Sequence, residues 1–222
     1  MVEKNTPSVS NSNSSYRASI PTNDTNLLHI ARLVLVKWLS TPTVFLLWTS
    51  VYEYRVYVNS FSALCKSIEE IIKRRNVQLQ KKYSLELTLN RALPSLVQDI
   101  RATLNTTEHL DFALFGIIES NSELSFPVDT KQRIEALKLL ERRLKLFSIK
   151  LNNYDLMFWK DIRTQYIANL NAMEVIEELF EEKQNSKLFF KEQIQITLQS
   201  LIYSIKSNYP KTYKSELQEW GF

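Results

Sequence analysis

The chain has 222 residues, of which 44% are hydrophobic and 23% charged. This balance supports a sizeable core and excludes disorder of the whole chain. Only two glycines, one cysteine and two histidines are present, which excludes glycine-built phosphate loops, a disulfide framework and a histidine-rich metal centre. The net charge of +4 is small, and no basic stripe typical of nucleic-acid binding stands out. We therefore expect an all-α, non-catalytic protein with no cofactor and no metal.

The first segment, residues 1–26, is rich in Ser, Asn and Thr and has little to bury. It is predicted to be a disordered polar tail. Its start lacks the apolar core of a secretory signal, so an intracellular location is expected.

The second segment, residues 27–54, contains the most apolar stretch, Leu33–Tyr52. About 20 apolar residues can cross a bilayer as a helix, and the aromatic residues at its end are typical of a membrane interface. Lys37 and the Pro42 region interrupt this stretch, so two short helices, 27–40 and 43–52, inside a protein core remain the alternative. The candidate membrane-anchor residues are Leu33, Val34, Leu35, Val36, Trp38, Val44, Phe45, Leu46, Leu47, Trp48 and Val51.

The third segment, residues 55–209, shows apolar residues at helical spacings of three and four almost throughout. The spacing predicts one amphipathic helix to about Gln80, a second helical stretch interrupted or kinked at Pro94, and a short helix from Thr107 to Ile117. No stretch alternates long enough to predict a strand.

Residues 121–127 are predicted to form a loop, and Asp129 is predicted to cap a helix that ends near Leu151. A further helix is expected over 155–182, and Ser186 is predicted to cap the last long helix, which ends at Asn208. Residues 210–222 form a tail with a turn or a small helix. The expected fold is a bundle of about five or six antiparallel helices with coiled-coil-like packing.

Charged residues form two kinds of cluster. The acidic residues at the end of the 155–182 helix favour a solvated face, or else a docking strip for a basic partner; they are Glu174, Glu177, Glu178, Glu181 and Glu182. A catalytic carboxylate pair is not favoured, because these residues lie opposite the apolar stripe. The basic residues at 73–75, 81–82 and 138–150 are predicted to be solvated helix faces.

Together these features indicate a membrane-associated helical adaptor or tether that binds a protein partner on the cytosolic side of an intracellular membrane. The alternative is a soluble all-α subunit of a larger complex, cytoplasmic or nuclear, with the apolar segment buried in its core or interface. Neither hypothesis involves nucleic acid or a small-molecule substrate.

Overall fold

The structure, a computed structural model, describes residues 19–104, 111–120 and 123–222. Within these ranges the chain is all-α with one small hairpin, and the predicted fold class is confirmed. The helices are α1 (Asp24–Ser40), α2 (Val51–Leu104), α3 (Thr130–Leu146), α4 (Leu156–Asn208) and α5 (Tyr213–Glu219). Strands β1 (Ile118–Ser120) and β2 (Glu123–Ser125) pair antiparallel after a 3₁₀ turn at Phe112–Phe115.

The chain divides into two compact units. Unit 1 comprises residues 1–67 and 183–222, and unit 2 comprises residues 68–182. These boundaries differ from the predicted segments, because the apolar segment 27–54 falls inside unit 1 and segment 55–209 is shared by both units. Each unit has its own hydrophobic core.

Unit 1 begins its ordered structure earlier than the sequence predicted. The side chain of Asn23 accepts a hydrogen bond from the backbone N–H of Asn26 and caps α1. Asp24 then accepts from Lys187 at 2.9 Å and from Lys191 at 2.7 Å. These contacts hold residues 23–26, which the sequence assigned to the tail. Residues 19–22 are described and precede the helix, and the part of that prediction over 1–18 lies outside the described residues.

The apolar stretch Leu33–Tyr52 does not form one helix. Helix α1 ends at Ser40, residues 41–50 are non-helical, and α2 starts at Val51. Across the described parts of the chain, no helix combines the length and apolarity that crossing a bilayer requires. The single membrane-spanning helix, one of the two alternatives, is therefore not formed. The end of α1 agrees with the helix expected over 27–40, whereas the second helix expected over 43–52 is wrong, since residues 41–50 are non-helical.

Helix α2 is longer than the pattern predicted, since it continues through residues 80–89 and through Pro94. Proline removes one backbone donor and clashes with the carbonyl four residues earlier, here that of Asn90. Both Pro94 and Asn90 are exposed, so water can solvate the freed carbonyl.

In unit 2, the end of the 3₁₀ turn and α3 meet at a close contact around Gly116. This residue has φ +77°, and an added Cβ would lie 2.7 Å from the backbone oxygen of Ala136. The predicted cap of α3 is confirmed, because Asp129 Oδ1 accepts from the backbone N–H of Gln132 at 2.9 Å. The helix ends at Leu146, earlier than predicted, and Ser148 follows with φ 49°.

Helix α4 runs without a break from Leu156 to Asn208, so the predicted cap at Ser186 does not form. Residues 183–190 contain neither Gly nor Pro, and each is tolerated in a helix interior. Within unit 1, the last part of α4 supplies Ile194, Leu198 and Leu201 to the core, which also contains Leu217 of α5.

Candidate functional site

The loop between α1 and α2, together with the first turn of α2, exposes a group of large apolar side chains. Phe45 is 69% exposed, Leu47 95%, Trp48 50% and Tyr52 67%. We call these four residues the apolar tip. Scattered exposed apolar residues are common on protein surfaces, but a contiguous group at a loop usually marks an interaction site.

The backbone of this loop is fixed by contacts with α1. The indole Nε1–H of Trp38, which is buried, donates to the carbonyl oxygen of Val44 at 2.7 Å. The backbone N–H of Val44 donates to the carbonyl of Thr41, and its side chain is buried. Since Val44 is held inside the core, the neighbouring residue Phe45 is directed outward.

A capping box fixes the other end of the loop. The backbone N–H of Ser50 donates to Glu53 Oε2 at 2.7 Å, and the backbone N–H of Glu53 donates to Ser50 Oγ at 3.2 Å. These bonds start α2 at Val51 and hold the pKa of the Glu53 carboxyl below its usual range. The Ser-x-x-Glu pattern at 50–53 was readable in the sequence and was missed.

A cation lies next to the apolar tip. The Arg55 guanidinium is 5.6 Å from the centre of the Tyr52 ring. Lys37, in the last turn of α1, pairs with Glu219 at 2.8 Å, and this hydrogen bond raises the pKa of Lys37. Counted over the sequence, unit 1 has twelve Lys and Arg against six Asp and Glu, a net charge of +6, whereas unit 2 has sixteen against eighteen, a net charge of −2.

The predicted anchor residues separate into two groups. Val34, Trp38 and Val44 are buried in the core of unit 1. The remaining residues are exposed or partly exposed: Leu33, Leu35, Val36, Phe45, Leu46, Leu47, Trp48 and Val51. The apolar segment therefore buries some of its side chains in the core of unit 1 and exposes the others to solvent.

The predicted acidic strip lies on α4 within unit 2, and part of it is used internally. Glu174 pairs with Lys131 at 3.2 Å and Glu177 with Arg75 at 2.7 Å. Glu178, Glu181 and Glu182 are exposed, and Glu182 also has an interaction within the chain. A docking surface built from all five carboxylates would have to break these two ion pairs.

The sequence did not predict the buried arginine of unit 2. Arg133 is 7% exposed, and its guanidinium donates to four acceptors: Pro127 O at 2.7 Å, Glu86 Oε1 at 2.9 Å, Tyr166 Oη at 3.1 Å and Val128 O at 3.4 Å. Burial raises the pKa of the Tyr166 phenol, against the opposing effect of Arg133. With its donors engaged in this way, Arg133 serves to fix the start of α3 rather than to bind a ligand.

The two histidines do not form a site in the part of the chain that the structure describes. His29 is exposed on α1, and His109 lies outside the described residues. Within residues 19–104, 111–120 and 123–222, no three His, Cys, Asp or Glu side chains are grouped to hold a metal ion.

Comparison of the chain with protein-family models, with curated proteins and with solved structures finds no significant match.

Proposed function

We propose that this chain is a non-catalytic helical adaptor that binds the surface of an intracellular membrane through its apolar tip and a protein partner on the cytosolic side. The observation that supports the membrane contact is the exposure of the apolar tip: Phe45, Leu47 and Trp48 on the loop, and Tyr52 in the first turn of α2.

The composition of the tip suits the interfacial region of a bilayer. Trp and Tyr prefer the headgroup level, where one part of the ring is apolar and the other polar. Leu47 and Phe45 can reach the acyl chains below that level. The non-helical backbone of residues 41–50 disfavours the hydrocarbon centre, because its polar groups would lose their water there.

The charge of unit 1 favours an anionic bilayer. Each Lys or Arg close to such a surface contributes about 1 kcal/mol of attraction, which salt screens. The net charge of +6 on the unit that contains the apolar tip supports this choice.

The size of the apolar contribution follows from the exposed side chains. Burying a Leu or Phe side chain fully contributes roughly 1.5–3 kcal/mol. Leu47 is almost fully exposed and Phe45 about two-thirds exposed, so inserting both contributes about 3 kcal/mol, or roughly a hundredfold in binding.

The test uses the full chain and vesicles of phosphatidylcholine with 30% phosphatidylserine, in a sedimentation assay. We expect the wild type to bind and the double variant Phe45→Ser, Leu47→Ser to bind at least tenfold more weakly. Trp48 supplies a second readout, since the other three tryptophans, Trp38, Trp159 and Trp220, are buried. Its fluorescence emission should shift to shorter wavelength on binding, and its quenching by iodide should fall.

The matched control is Leu188→Ser, Ile196→Ser, which removes two exposed apolar side chains from α4 in the same unit. This variant should bind like the wild type. Equal binding by the tip variant and the wild type, or an unchanged Trp48 spectrum on bound vesicles, would contradict the membrane contact.

A further inference from the structure

Helix α2 exposes a second apolar surface, which lies in unit 2 and does not depend on the proposed membrane contact. Ile72, Leu79, Tyr83 and Leu87 are 39–58% exposed and follow one another at spacings of seven, four and four. At 100° per residue these positions fall on one narrow face of the helix, which extends over about 22 Å at 1.5 Å per residue. We call these four residues the α2 stripe.

Most charges beside the α2 stripe are positive; the exceptions are Glu69, three residues before Ile72, and Glu86, three residues after Tyr83. Lys82 follows Leu79 by three residues and Arg91 follows Leu87 by four, so both are neighbours of the stripe on the helix surface. Lys73 is adjacent to Ile72. In the described structure none of these three cations forms an ion pair.

The acids of this part of α2 do not neutralise those cations. Between Lys73 and Gln98 the sequence has one acidic residue, Glu86. Glu86 is engaged by the buried Arg133 at 2.9 Å. An apolar stripe with unpaired cations beside it is complementary to a helix that carries apolar residues flanked by Asp and Glu.

We propose that the α2 stripe is the docking site for an acidic amphipathic helix of a protein partner. About four turns of the partner helix, roughly 15 residues, match the length of the stripe. The large aliphatic side chains of the partner helix pack on Ile72, Leu79 and Leu87. Its carboxylates pair with Lys82 and Arg91.

Two other occupants fit less well. The stripe side chains are 39–58% exposed, whereas Leu47 of the apolar tip is 95% exposed, so the stripe offers less apolar area per residue to a bilayer. Nucleic acid would need several stacking aromatic side chains, and the stripe has Tyr83 alone.

A second copy of the chain is also disfavoured as the occupant. Its most acidic helix face is the set at 174–182 on α4. Glu174 and Glu177 of that set already pair with Lys131 and Arg75 within the chain. Docking on them would therefore exchange existing ion pairs for new ones with little net gain.

The experiment measures binding of a fluorescent 18-residue peptide to the full chain by anisotropy. The peptide is a helix of Leu, Ala and Glu with leucines at positions i, i+3, i+4 and i+7 and glutamates on both sides. A second peptide has lysines in place of the glutamates. We expect saturable binding of the first peptide, at least tenfold weaker binding of the second, and weaker binding of the first as salt rises.

Two double variants locate the site. Leu79→Ser, Tyr83→Ser should weaken binding of the acidic peptide at least tenfold, and Lys82→Glu, Arg91→Glu should do the same. Their controls change equally exposed residues of unit 2 elsewhere: Leu146→Ser, Val175→Ser and Lys150→Glu, Lys160→Glu. Both controls should bind like the wild type, and an unchanged urea midpoint shows that each variant is folded.

The proposal is overturned by no saturable binding of the acidic peptide, by equal binding of the lysine peptide, or by stripe variants that bind like the wild type. The proposal would also be overturned if the stripe variants bound single-stranded RNA or anionic vesicles more weakly than the wild type does, but bound the acidic peptide equally well. A dimer in sedimentation velocity that Leu79→Ser, Tyr83→Ser dissociates would overturn it as well. A tip variant that fails to bind vesicles leaves this peptide assay unaffected, so the two proposals fail separately.

Discussion

Replacing Arg133 with alanine tests whether this buried cation is a structural element of unit 2. The substitution removes a guanidinium that bonds two backbone carbonyls, the Glu86 carboxylate and the Tyr166 hydroxyl. It also removes a contact with the Tyr166 ring, whose centre lies 5.4 Å from the guanidinium carbon.

The expected loss of stability can be estimated from these contacts. Breaking a fully buried ion pair costs about 3–5 kcal/mol, because the remaining charge is left unpaired. Glu86 is 32% exposed and can turn toward water, so the lower end applies to the ion pair. The buried carbonyl of Pro127 loses its donor as well, at about 1 kcal/mol or more. We expect a total loss of about 4 kcal/mol.

Urea unfolding of the full chain provides the measurement. At an m value of about 2 kcal/mol/M, a loss of about 4 kcal/mol moves the midpoint of the transition that reports unit 2 down by about 2 M. Arg133→Lys should lose more than half as much stability as Arg133→Ala, since an ammonium group cannot donate to all four acceptors of the guanidinium. Arg142→Ala, an exposed arginine on the same helix, should change the midpoint by less than 0.3 M. A shift below 0.3 M for Arg133→Ala would refute the structural role.

Two further outcomes follow from the geometry. Gly116→Ala should destabilise unit 2 by about 2 kcal/mol or more, because the residue has φ +77° and the new Cβ would lie 2.7 Å from the Ala136 oxygen; thermal unfolding measures this, and a melting temperature equal to that of the wild type would contradict it. Asp24→Asn should give a pH-dependent loss of stability: burial acts to raise the pKa of Asp24, but hydrogen bonds from Lys191 and Lys187 hold it below its usual range. A lowered folded-state pKa stabilises the protein above the unfolded pKa of about 3.9, and the contribution disappears as pH falls through the folded-state value. The stability difference between wild type and variant should thus be constant from pH 7 to 5 and shrink below pH 4, as urea midpoints across that range will show; a constant difference down to pH 3 would refute it.

The sequence predicted those features that depend on neighbouring residues. The helical spacing of apolar residues predicted the all-α class. The Asp129 cap could be predicted because Asp129 and the backbone N–H of Gln132, which donates to it, lie within one helical turn. Ser186 has the same cap-forming chemistry, yet it lies inside α4, because nothing near it breaks the helix. A capping residue permits a helix start and does not require one, so the length of α4 could not be read from local signals.

The direction of each apolar side chain in the segment 27–54 could not be predicted locally. Trp38 and Trp48 belong to the same apolar stretch, but Trp38 is buried and donates to Val44, while Trp48 is half exposed. This difference arises from the packing of α1 against α4 and α5, as the Asp24–Lys187 and Lys37–Glu219 ion pairs illustrate. Hydropathy sums both tryptophans alike, and for that reason the stretch resembled a membrane span.

The same geometry limits how deeply the apolar tip could enter a bilayer. Glu53 follows Tyr52 directly, and its hydrogen bonds with Ser50 hold its pKa low, so it carries a negative charge at neutral pH. Placing that charge in hydrocarbon would cost several kcal/mol and would also break the cap of α2. The Arg55 guanidinium, close to the Tyr52 ring, prefers the phosphate level. Insertion would therefore stop with Phe45 and Leu47 below the headgroups, Trp48 at their level and Glu53 above them, which is the depth of an interfacial contact.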